Sequence, residues 1–181
     1  MIESDDEFIN NIHEQWNSAN DNERLKIIRK LGKIHNSDAF EVLLKLIGIT
    51  KGEVRCAVID TLAFIDPVRS IDILIAELKD TDPLVRWLVS GILLNIADER
   101  TIEPLIQALN DEDSQIRIHA ALALGKIGSP KALFALRLIQ HTDIGTDYEG
   151  RKVSEMAATA IQQIKKHQND NNSDISGQNG R

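Results

Sequence analysis

The stretch "DPLVRWLVSGILLNIADERTIEPLIQAL" occupies Asp82–Leu109, and "DSQIRIHAALALGKIGSPKALFALRLI" starts thirty-one residues later, at Asp113. The two are one pattern written twice, and the step between them organises the chain. A step of 31 from Arg24 lands on Arg55, Arg86 and Arg117. The same step links Leu31, Leu62, Leu93 and Leu124, then Ile34, Ile65, Ile96 and Ile127, then Leu43, Leu74, Leu105 and Leu136. Columns that hold over four copies without a gap mark an internal repeat. A fifth, partial copy, "SEMAATAIQQI", puts Ile161 and Ile164 in the Leu and Ile columns after an insertion of six residues.

Each unit reads as two helices. In the first, apolar residues recur three or four apart, as in Ile116, Ala120, Ala123, Leu124 and Ile127. Turns such as "HNSDA", "DPVRS", "ADERT" and "GSPKA" follow, built from residues that stop one helix and cap the next. The second helix is "FEVLLKLI", "SIDILIAEL", "TIEPLIQAL" or "ALFALRLIQ". Pro83 suits a first turn after the cap Asp82, and Pro104 suits the first turn of its own helix. One helix pair buries only one side, and stacking equivalent pairs covers the other. The expected fold is all-α: a right-handed α-solenoid of about five helix pairs.

Composition agrees. Apolar residues make up 42% but aromatics only 4%, so Leu, Ile, Val and Ala fill the core. A net charge of -7 disfavours a nucleic-acid backbone or an anionic membrane as the principal partner. The single Cys56 has no mate for an internal disulfide, and zinc-type Cys/His spacing is absent. The opening "MIESDDEF" has no basic or apolar signal region, and no apolar run approaches the ~18 residues of a membrane span. A cytoplasmic protein is expected.

The pattern "DxDxxVRxxAxxALGxIGxxxA" carries a family resemblance. "DEDSQIRIHAALALGKIGSPKA" (Asp111 to Ala132) is similar to the HEAT-like repeat of phycobilisome-lyase-type proteins, and "DTDPLVRWLVSGILLNIADERT" (Asp80 to Thr101) is a looser copy. The resemblance spans about residues 20–165. It implies a stack of helix pairs whose first helices line a concave side. It does not imply one function, because such repeats serve lyases, scaffolds, repair enzymes and oxygenases alike. The domain plan is a capping helix over 1–19, with Phe8, Ile9, Ile12 and Trp16 inward, then a HEAT-like domain over 20–166. The polar stretch 167–181 is expected to be disordered.

Several constellations could carry chemistry. The arginine column could bind anions, but its recurrence beside Asp80, Asp82, Asp111 and Asp113 favours internal ion pairs. The residue after each arginine varies: Leu25, Cys56, Trp87, Ile118. One turn on stand Arg29, Asp60, Gly91 and Leu122. If this face lines the concave side, Trp87, Ile118 and Leu122 form an apolar anchor, with Gly91 leaving room beside the indole. Arg29, Asp60, Asn95 and Lys126 form its polar rim. The histidines form no metal pair; "HE" occurs once, at His13–Glu14, unlike the repeated His-Glu pairs of di-iron HEAT-like hydroxylases. His119 reads as a structural residue, and Cys56 as an apolar filler unless Arg55 activates it. The insertion places Tyr148 among Asp143, Asp147 and Glu149, an acidic group suited to a basic partner.

No phosphate loop, nucleophile elbow or nucleophile–base spacing occurs. The expected function is therefore non-enzymatic: a scaffold that binds a protein or peptide, with no cofactor, no metal, no nucleic acid and no membrane. The alternative implied by the resemblance is a bilin lyase-like subunit or chaperone acting on a bilin-bearing light-harvesting protein. A DNA glycosylase of the HEAT-like type would need a basic groove, which the acidic balance opposes.

Overall fold

The computed structural model describes residues 5–178. Ten α-helices are described: α1 (Asp5–Ser18), α2 (Asp21–Ile34), α3 (Ser37–Ile47), α4 (Gly52–Ile65), α5 (Ile71–Glu77), α6 (Pro83–Ile96), α7 (Ile102–Ala108), α8 (Ser114–Ile127), α9 (Leu133–Thr142) and α10 (Val153–Gln178). Short 3₁₀ turns, Glu99–Thr101 and Pro130–Ala132, lead into α7 and α9. Among the described residues the β-type pairing is a single bridge between Thr146 and Lys152. The fold is all-α, as the 31-residue step predicts. Four helix pairs run from α2 to α9, and α10 supplies the first helix of the fifth copy.

The caps explain why the helices begin where they do. The N-cap column steps through Asn20, Lys51, Asp82 and Asp113. Asn20 Oδ1 accepts from Glu23 N at 3.1 Å while Glu23 Oε2 accepts from Asn20 N at 2.8 Å, a complete capping box. Asp82 Oδ1 accepts from Leu84 N at 2.9 Å, and Asp113 Oδ1 from Gln115 N at 2.7 Å. Lys51 has no oxygen to offer, and α4 starts without a side-chain cap. Pro83 is the first residue of α6, as its missing N–H allows. At the other end, α2 and α8 close on left-handed residues, His35 (φ 49°) and Gly128 (φ 78°). Ala97, at the matching position after α6, is also left-handed, at φ 51°.

The chain divides into two compact units, Met1–Val89 and Ser90–Arg181, with the division inside α6. In the first unit α4 packs on both α2 and α3, and α1 packs on α2 and α3. Phe8, Ile12 and Trp16 of α1 are buried against this core, with Ile9 partly buried beside them. In the second unit α8 packs on α7 and α10, and α10 also packs on α9. The repeat columns become layers of core. Leu31, Leu62, Leu93 and Leu124 are at most 1% exposed, as are Leu43, Leu74, Leu105 and Leu136. Each contributes roughly 1.5–3 kcal/mol by burial.

The stretch after Lys166, read from composition as disordered, is helical as far as Gln178; residues 179–181 lie outside the described residues. Extending an anchored helix adds one hydrogen bond per residue without a fresh nucleus, and that stretch holds no proline before Gln178.

Candidate binding site

The arginine column turns inward on the protein itself. Arg55 forms a fork with Glu77, Nη2 to Oε1 at 2.9 Å and Nε to Oε2 at 3.0 Å, and its Nε lies 3.1 Å from Asp80 Oδ2. Its Nη1 donates to the Ile47 carbonyl at 2.7 Å. Arg117 repeats the arrangement: Nε donates to Asp143 Oδ2 at 2.7 Å and Nη1 to the Asp111 carbonyl at 2.8 Å. Arg86 Nη1 donates to the Asp80 carbonyl at 2.9 Å. Arg24 pairs with Asp21 and lies over the Trp16 ring at 5.3 Å. Arg55 and Arg117 thus each tie the loop before their helix to the end of the pair that helix opens. The carboxylates that receive them are Glu77, Asp80 and Asp143; Asp82 and Asp113 serve instead as helix caps.

Between α2 and α4 the first unit opens into a cleft of about 580 Å³ lined by Arg29, Gly32, Lys33, His35, Asp60, Thr61 and Phe64. Arg29 and Asp60, two of the rim residues chosen from sequence, stand in it and are exposed. Gly32 lets the helices come close at its base: a Cβ there would stand 3.0 Å from Thr61 Cγ2. Phe64 is 67% exposed, and the His35 ring meets it edge-on at 5.1 Å. The left-handed cap at His35 places that imidazole beyond the helix end, where it can brace the phenyl ring. The cleft therefore offers an aromatic face, two cations and one carboxylate.

Phe64 escaped the sequence reading, although a signal existed. Its column holds Lys33, Asn95 and Lys126, all exposed, so an aromatic residue there departs from the repeat.

The other expected site residues divide. Trp87 is 39% exposed and Asn95 is exposed, while Leu122 is half-buried. Ile118 is fully buried, so it is core and not a surface anchor. Ile118 lies one turn along α8 from Ser114, against which Gly145 of the insertion lies. Lys126 Nζ donates to the Asn95 carbonyl at 2.7 Å and the Leu94 carbonyl at 3.3 Å, closing the last turn of α6. The space beside Gly91 faces the His119 ring, 3.6 Å from an added Cβ.

His119 is held from both sides. Nδ1 lies 2.8 Å from Ser90 Oγ and Nε2 lies 2.8 Å from Gln115 Nε2. Burial first, and the nearby Arg151 second, lower its pKa against the opposing pull of Asp113 and Asp147. The ring is a neutral strut at pH 7. Cys56 is not activated by Arg55: burial, then Asp82 and Asp80, push its thiol up from the ordinary value.

The acids of the insertion are also spoken for. Asp143 holds Arg117, and although burial opposes its ionisation, Arg117 and the Gly145 N–H keep its pKa low. Asp147 accepts from Arg151 Nε at 2.6 Å and from the backbone N–H groups of Glu149 and Arg151. Those two carboxylates fold the loop and are not free for a basic partner. Ile144 (97%) and Tyr148 (78%) project from it. Among the described residues no group of three His, Cys, Asp or Glu side chains could hold a metal ion. The side chain of His13 lies outside the described ones. No described helix is long and apolar enough to cross a membrane.

Comparison with known proteins supports the fold. HEAT repeats match residues 9–86 and 71–157. A crystal structure of an engineered protein, a structural-genomics consortium target, is similar over 86% of this chain and 78% of its own, at 23% identity and a TM-score of 0.54. No curated protein matches the chain.

Proposed function

We propose a function from one premise: the chain belongs to the HEAT-repeat family. It is a non-enzymatic scaffold that binds a protein or peptide, and the cleft between α2 and α4 is its principal contact. The observation that carries this reading is Phe64, 67% exposed at the rim of a 580 Å³ opening that also holds Arg29 and Asp60. An exposed aromatic anchor flanked by charges of both signs is the composition of a recognition hot spot. Trp87, 39% exposed, is a second anchor by the same criterion. Asn95 and Leu122 remain proposed contacts, whereas the amine of Lys126 is committed to α6.

The site is tested by affinity capture with the intact protein, with Phe64→Ser/Arg29→Glu, and with Trp87→Ala, each first checked for an unchanged helical spectrum. Partners retained by the parent should be lost from the cleft variant, and Trp87→Ala should weaken binding by more than ~2 kcal/mol if it is a hot spot. An identical set of partners, at unchanged affinity, would overturn the reading. A bilin-bearing protein is one partner implied by the resemblance of the repeat motif; a bilin absorbance shift on titration would identify it. A cytoplasmic setting is proposed from Cys56 alone, a free thiol.

A further inference from the structure

The outer face of α9 breaks the repeat. A step of 31 back from Phe134 meets Glu103, Asp72 and Glu41, and the same step from Leu138 meets Gln107, Ala76 and Lys45. Glu41, Asp72 and Glu103 are all exposed, so this column faces solvent in every pair and is acidic in three. In the fourth pair it holds a phenylalanine 82% exposed, with Leu138, one turn on, 53% exposed. Two large apolar side chains at i and i+4 form a continuous ridge on one helix face.

The charge around the ridge changes sign as well. Lys131 and Arg137 flank it and are exposed, and the stretch from Pro130 to Thr142 contains no acidic residue. On α10, which packs on α9, Lys165 and Lys166 are exposed; Asp170 follows them and with Glu99 lines an opening beside Lys131, so the cations named here outnumber the acids. This occurs in a chain whose net charge is -7. We propose that the Phe134–Leu138 ridge of α9, with its lysine and arginine flanks, docks a partner protein through an amphipathic helix whose apolar stripe is bordered by Asp and Glu. Ridge-to-stripe packing supplies the apolar contact, and opposite charge selects the partner. A second copy pairing through the same ridge would bring Lys131 and Arg137 against their own duplicates, which opposes self-association.

The probe is a synthetic helical peptide with leucines at i, i+3, i+4 and i+7 and glutamates at the remaining positions. Its control carries lysine in place of glutamate. Each is titrated into the full-length ¹⁵N-labelled protein at low salt. The glutamate peptide should shift the amides of α9 and saturate, and the lysine peptide should bind at least tenfold more weakly. Phe134→Ser/Leu138→Ser should weaken the glutamate peptide tenfold or more with unchanged thermal unfolding, since both side chains are exposed. Arg137→Glu should weaken it too, and 0.5 M salt should weaken it for the parent. No binding, equal binding of the two peptides, or shifts confined to other helices overturns the proposal. So does binding of the ridge to phosphatidylglycerol vesicles without binding of the peptide, which would make it a membrane contact. A failure here leaves the cleft between α2 and α4 untouched, because Phe64 and Arg29 are absent from this test.

Discussion

Two glycines in successive first helices should respond to alanine in opposite directions. Gly125 lies on α8 where α10 crosses it. A Cβ there would stand 2.7 Å from the Cα of Ala160 and 2.9 Å from its Cβ. Backbone cannot rotate away as a side chain can, so α8 and α10 must part by several tenths of an ångström. Overpacking of this kind costs about 1–3 kcal/mol, and contact with a Cα places it near the top of that range. Helix propensity returns up to about 1 kcal/mol for Gly→Ala in a helix interior. A net loss of about 2 kcal/mol follows for Gly125→Ala. Gly91 on α6 lies instead 3.6 Å from the nearest atom of His119, ordinary contact, so Gly91→Ala keeps the propensity gain of about 0.5–1 kcal/mol. For a chain of 181 residues, at about 2–4 °C per kcal/mol, the first variant should melt about 4–8 °C lower and the second about 1–4 °C higher. Calorimetry or thermal circular dichroism reads both. If Gly125→Ala melts at or above the parent temperature, the close approach of α8 and α10 is not what requires glycine there.

Three further outcomes follow from the caps, the arginines and the histidine. Ala97→Gly should raise stability by about 0.5–1 kcal/mol, because φ 51° strains a residue with a Cβ; urea midpoints at constant slope measure it. Arg117→Met should cost about 3 kcal/mol, since it strands Asp143 with its side chain 11% exposed, whereas Arg24→Met, opposite an Asp21 that is 75% exposed, should cost less than about 1 kcal/mol in the same assay. His119, its native pKa lowered first by burial, takes up its proton later than the unfolded chain does as pH falls. Stability should therefore drop as pH falls below the unfolded value near 6.5, by at most about 1.4 kcal/mol per pH unit. His119→Gln should flatten that slope between pH 7 and 5; parallel slopes for the two proteins would remove His119 as the source.

The helices were legible because periodicity and caps are local. Leu31, Leu62, Leu93 and Leu124 hold the same register position on four first helices, α2, α4, α6 and α8, and all four are buried. The arginine column was legible as a class of interaction but not in its partners. Charge alone could not separate Asp113, whose oxygen caps α8, from Asp143, which receives Arg117 across 26 residues. Ile118 shows the limit more sharply. Its column-mate Trp87 is 39% exposed, yet Ile118 is buried. A repeat register assumes equal surroundings, and these two positions do not have them. The same register is most informative where a residue type departs from its column, as Phe64 does among Lys33, Asn95 and Lys126.

The arginine clamps bear on how the chain is made. Arg55 reaches Glu77 over 22 residues, and Arg117 reaches Asp143 over 26. Loops this short cost little entropy to close, and contacts of low sequence separation form fast. The hairpins opened by α4 and α8 can each be pinned as soon as their own segment leaves the ribosome. The flank each turns to the next pair stays open until that pair is made, so synthesis proceeds as latched pieces that await their neighbours.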